Sequence, residues 1–131
     1  MERRRISSGT EWESQVGYSR AVRSGSHVHV SGTTATDEVG RVVGEGDPYE
    51  QTRQALANIE SALLEADASL EDVVRTRIYV TDIEAWDTIG AAHADVFDGI
   101  RPATSMVEVN RLVAPELLVE IEAVALVEEG G

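Results

Sequence analysis

The chain has 131 residues, 42% of them apolar, and a formal net charge of −13 from 24 acidic and 11 basic residues. Every basic residue is arginine and there is no cysteine, which excludes disulfides, thiolate catalysis and cysteine-ligated zinc or iron–sulfur sites. So acidic a chain repels phosphate backbones, and no basic stripe offsets the charge, so no nucleic-acid partner is expected. The length suits one domain over 1–131, with residues 1–11 read as a loosely ordered arm holding a short strand near Arg4–Ser7. No apolar run approaches the roughly 20 residues that span a bilayer. The start, "MERRRISSG", lacks the apolar segment of a secretory leader. The expectation is a cytoplasmic protein with no membrane partner.

In chain order, Tyr18–Ser24 and His27–Thr33 flank a Gly-containing turn and read as a β-hairpin. Val28 and Val30 share one face of the second arm, and His27, His29 and Ser31 share the other. Residues 34–46 are rich in Gly and Thr and read as a loop. "DPYE" then places Asp47 at an N-cap, Pro48 at the first helical position and Glu50 at N3. Ala55, Leu56, Ile59, Ala62, Leu63 and Ala66 recur at helical spacing, which predicts a helix to about Ala66 lying on a sheet. "DVVRTRIYVTD" alternates as a strand, with Val74, Thr76, Ile78 and Val80 on one side. Asp82 is read as the cap of a second helix carrying Trp86, Ile89, His93, Val96 and Phe97, with Gly99 as its stop. Two closing strands, about Thr104–Asn110 and Leu117–Val127, read as a terminal hairpin.

This order implies a mixed sheet with both helices on one face, and a bare second face that argues for self-association. Glu120 and Glu122 share a strand face, and Glu108 is expected across the hairpin, so paired carboxylates could supply acid and base. His27 and His29 form an H-x-H pair, but no third ligand has convincing spacing, so no metal is expected. His93 reads as a packed or interface histidine, and Trp12, Trp86 and Phe97 as core or interface aromatics.

"VGYSRAVRSGSHVHVSGTTA", "VVRTRIYVTDIEAWD", "RPATSMVEVNRL" and "LLVEIEAVAL" together resemble the RidA family, also called YjgF-like or L-PSP endoribonuclease. The likeness covers about residues 12–127. It implies an α+β, chorismate-mutase-like fold: a mixed β-sheet with two helices on one face and a trimeric barrel-like core, with clefts between subunits. It implies a small-molecule ligand or substrate, no cofactor, and hydrolysis of enamines or imines to 2-oxo acids and ammonia.

Carried over by position, a cleft tyrosine falls on Tyr18, a serine on Ser31 followed by Gly32, and a water-activating glutamate on Glu120. The family's carboxylate-binding arginine falls on Thr104, followed by Ser105 and Met106. A threonine hydroxyl cannot form an ion pair; losing a bidentate arginine costs on the order of 2–4 kcal/mol of carboxylate binding. Arg20 and Arg101 are the candidate carboxylate partners in its place, ahead of Arg77. The resemblance thus implies a divergent imine hydrolase or, as the alternative, a trimer that binds a small ligand without turnover.

Overall fold

The computed structural model describes residues 2–128. Its elements run β1 Arg3–Ile6, α1 Glu11–Val16, β2 Ala21–Ser24, β3 His27–Thr33, α2 Pro48–Glu65, β4 Val73–Val80, α3 Trp86–Phe97, β5 Ala103–Glu108 and β6 Val119–Leu126. The strands form one sheet in the order β1-β2-β3-β6-β4-β5. Neighbours are antiparallel except β4 and β5, which are parallel.

α2 begins as its sequence dictates. The Asp47 side chain accepts from the Glu50 N–H, and Pro48 occupies a first-turn position where no N–H is needed. Leu56, Ile59 and Leu63 are fully buried on its sheet-facing side, each contributing roughly 1.5–3 kcal/mol through lost contact with water. α3 adds Ile89, Ala92 and Phe97 to the same core. The sheet answers with Val28, Val30, Ile78, Val80, Val119 and Ile121. Strict alternation in β6 buries Val119, Ile121, Ala123 and Ala125 against the helices and turns Glu120, Glu122, Val124 and Leu126 to the other face. No helix among the described residues is long and apolar enough to cross a membrane.

Several expectations need correction. The last two strands are not a hairpin: β6 inserts between β3 and β4, and β5 pairs only with β4 at the sheet edge. The reason is burial. β6 carries four fully or nearly buried apolar residues and belongs at the sheet centre, whereas β5 has none and tolerates an edge. Glu108 therefore does not face Glu120; β4 lies between them, and Glu108 accepts from the Ile83 N–H. In β4 a register shift between Val73 and Arg75 puts Val73 in the core and leaves Val74 exposed, reversing the expected side for Val74.

Asp82 caps a short 3-10 turn at Ile83–Ala85, and α3 starts after it. Gly99 is not the left-handed stop; that conformation falls on Arg101, at φ 55°, whose N–H bonds the Phe97 carbonyl. Trp12 and Trp86 are exposed, while Phe97 is buried.

α1 escaped the sequence reading. It ends at Gly17, which is left-handed at φ 89° and redirects the chain into Tyr18. Upstream, β1 pairs with β2.

Candidate functional site

The site is built where β3 leaves its regular pairing with β6. Pairing shifts register between Val30 and Thr33, so Ser31 and Gly32 sit in the irregular stretch. There the Ser31 N–H bonds the Arg20 carbonyl and its hydroxyl donates to the Ser19 carbonyl at 2.7 Å. Ser31, Tyr18, Ser19, Val22 and Arg5 line a cleft of about 500 Å³.

Glu120 packs on Gly32 closely enough that a Cβ at 32 would overlap its Oε2 and stand 2.9 Å from Cδ. The glycine is thus explained by side-chain approach, since its φ is not left-handed. Burial pushes the Glu120 carboxyl above its ordinary value of 4.5; the charge on Arg20 pulls it down and Glu122 pushes it up. Among the described residues no hydrogen bond reaches that carboxylate. A half-buried carboxyl with raised pKa and no hydrogen-bond partner among the described residues is a better proton acceptor than an exposed one. Its neighbour differs: the Glu122 Oε1 accepts from the Tyr79 hydroxyl at 2.8 Å and lies 3.6 Å from Arg77.

Arg20 is half-buried. Its Nη2 donates to the Gly32 carbonyl at 2.7 Å and its guanidinium lies 5.6 Å from the Tyr18 ring centroid. Its Nε is buried with no hydrogen-bond partner among the described residues. Tyr18, Arg20, Ser31, Gly32 and Glu120 therefore come together in one chain.

Thr104, Ser105 and Met106 do not join them. β4 separates β5 from β6, a displacement of roughly 10 Å at ordinary strand spacing. Thr104 is exposed on the edge strand but turns its hydroxyl toward the helix side, 2.8 Å from Thr76. Ser105 faces the other way and accepts from Arg75 at 3.0 Å, and Met106 packs against the core. Arg101 is exposed and held by Asp98 at 3.0 Å, so it trims the end of α3 and stands apart from Glu120's cluster. His27 and His29 stack at 6.2 Å, and no group of three metal-ligating side chains exists among the described residues.

Two features had no clear signal in the sequence. Glu13 is a buried carboxylate; burial raises its pKa, but hydrogen bonds from Ser8, Ser7 and Thr10 outweigh this and hold it below 4.5. It anchors residues 7–10 against α1 beside the cleft. Thr76, wholly buried on the helix face of β4, was legible only as a polar residue in an apolar series.

A family model described as Endoribonuclease L-PSP matches residues 9–127. A crystal structure of a Mycobacterium tuberculosis member of the YjgF/YER057c/UK114 family is 58% identical, with TM-score 0.89, covering 96% of this chain and 100% of that one. A RutC family protein of Pyrococcus abyssi is 38% identical over 85% of this chain and 87% of its own length. Escherichia coli TdcF, solved with bound serine, is 29% identical with TM-score 0.78, covering 85% of this chain and 88% of that one.

Proposed function

The chain belongs to the RidA (YjgF, endoribonuclease L-PSP) family, and on that premise we propose that it is a divergent Rid-type hydrolase acting on a small imine or enamine. The observation that carries this reading is Glu120: half-buried, raised in pKa, without a hydrogen-bond partner among the described residues, and seated on Gly32. Glu120 takes a proton from water as the hydroxide adds to the C=N carbon and returns it to the nitrogen, giving a carbinolamine; transfer of the carbinolamine's hydroxyl proton to nitrogen then breaks the C–N bond, releasing ammonia and leaving a carbonyl. Tyr18 and Ser31 line the cleft beside the Glu120 cluster. Arg20, whose Nε has no hydrogen-bond partner among the described residues, is the cation whose charge acts on Glu120, and it is preferred to Arg101, which Asp98 occupies.

The cleft is completed by assembly. The Glu120 cluster and the β5 edge lie apart in one chain, so a homotrimer that sets the β5 edge of one copy, with Thr104, Ser105 and Met106, against Glu120 of the next would join them. A cytoplasmic setting goes with this reading, as does the absence of a nucleic-acid substrate. Despite the family's description, a charge of −13 opposes RNA binding.

The test is ammonia release from a panel of freshly generated imines and enamines. Wild type is expected to exceed buffer, and Glu120→Gln to fall about 100-fold or more toward background. Equal rates in the two proteins would overturn the role of Glu120. The second reading, a ligand-binding trimer without turnover, is favoured by the serine bound in the E. coli relative. Thermal stabilisation by serine with no ammonia release would select it.

A further inference from the structure

Thr104 ends a chain of hydrogen bonds that begins inside the protein. His93 Nε2 lies 3.0 Å from Thr76 Oγ1, Thr76 Oγ1 lies 2.8 Å from Thr104 Oγ1, and Thr104 Oγ1 lies 3.1 Å from the Pro102 carbonyl oxygen. The last partner settles the polarity of the whole chain. A carbonyl only accepts, so the Thr104 proton points to Pro102. Thr104 then accepts from Thr76, whose single proton is spent, and Thr76 accepts from His93. The imidazole must carry its proton on Nε2 and leave Nδ1 bare. Burial holds His93 below its ordinary pKa of 6.5, so it is neutral at pH 7 and has one ring proton to place. Its ring packs on Phe97 at 4.7 Å, which fixes its orientation.

Each donor in such a chain polarises the next. Thr76, the middle link, is fully buried and His93 half-buried, and the chain reaches the surface at Thr104, on the exposed edge strand. A ligand oxygen or nitrogen that displaces the Pro102 carbonyl receives a donor already strengthened from behind. The arginines nearest in sequence and in strand pairing are engaged elsewhere: Arg75 with Ser105 on the opposite face, and Arg101 with Asp98.

We propose that Thr104, backed by the positioning residues Thr76 and His93, is a neutral donor site on the β5 edge that selects a ligand's uncharged acceptor, a carbonyl, amide oxygen or imine nitrogen, over a carboxylate. The assignment rests on the reading above only in taking the β5 edge as part of the ligand cleft.

Two measurements on the full-length assembled protein test it. Long-range ¹⁵N NMR of His93 at pH 7.5 is expected to show the Nε2–H tautomer; the Nδ1–H tautomer would overturn the proposal. Thr104→Val removes the acceptor of Thr76 and is expected to move His93 toward a tautomer mixture, a response that a purely structural histidine would not give. An unchanged tautomer there refutes the coupling.

For selectivity, propanamide and propanoate serve as matched probes. Wild type is expected to bind the amide about tenfold more tightly, with perturbation of the His93 Nε2–H resonance, and Thr104→Arg to reverse the preference. Tighter propanoate binding by wild type, or no amide binding at all, sinks the selectivity. Neither readout needs turnover, so a failure of imine hydrolysis would leave this result standing.

Discussion

Gly32→Ala separates a glycine needed for backbone freedom from one needed for side-chain approach. An added Cβ would overlap Glu120 Oε2, lie 2.9 Å from Cδ and lie 3.2 Å from Cγ. Ordinary carbon contacts stand near 3.5–4.0 Å, so the glutamate must withdraw by about 1 Å. The group that moves is the end of a flexible side chain. The stability cost is therefore one strained rotamer, about 1 kcal/mol, at the low end of the 1–3 kcal/mol typical of an overpacked core. With Glu120 as the proposed base the expected loss in rate is larger, on the order of 100-fold for a displacement of about 1 Å.

The assay is a double-mutant cycle by urea denaturation on wild type, Gly32→Ala, Glu120→Ala and the pair, with imine hydrolysis measured on the first two. Gly32→Ala is expected to cost about 1 kcal/mol with Glu120 present and close to nothing once Glu120 is alanine. An equal cost in both backgrounds would refute the reasoning, since the glycine would then serve the backbone.

Three further outcomes are expected. Gln51 is fully buried and clamps the entry to β6, donating to the Glu116 carbonyl at 2.9 Å and accepting from the Leu118 N–H at 2.8 Å. Gln51→Ala orphans both groups and should cost about 3 kcal/mol in chemical denaturation; a loss under about 1 kcal/mol would mean water replaces the amide. Asp47→Ala removes the N-cap of α2 and should cost about 1 kcal/mol, restored largely by Asp47→Ser in the same measurement. His93 has a folded-state pKa below its ordinary 6.5, so the unfolded chain takes up that proton first as pH falls. The stability linked to neutral His93 is thus fully present above about pH 6.5 and is lost as pH falls below it. Stability against pH between 7 and 5 should slope less in His93→Phe than in wild type, and identical slopes would remove His93 as the cause.

Much of the fold was legible because its signals are local. The Asp47–Pro48 start of α2, its apolar series and the alternation of β6 each lie within one stretch of chain, and the structure realises them. The terminal hairpin was misread because two adjacent strands with a short link look alike whether or not they pair. Burial decided it, drawing β6 between β3 and β4 while β5 crossed to the far edge of β4. Val74 was misplaced because a bulge costs one residue of register and leaves no mark in the alternation.

The candidate site divides the same way. What the sequence supplied was a resemblance, which implies that Tyr18, Ser31, Gly32 and Glu120 match the family's cleft residues and that Thr104 falls where its arginine is expected; both assignments stand as proposals. Those are matters of residue type along a recognisable pattern. Only the tertiary structure decided which of them meet. It set Glu120 against Gly32 and beside Arg20, because a break in β3 pairing lets three strands' worth of side chains converge there. It also turned the Thr104 hydroxyl away from that cluster and onto Thr76 and His93, because a residue's face is fixed by pleat and register and not by its neighbours in sequence.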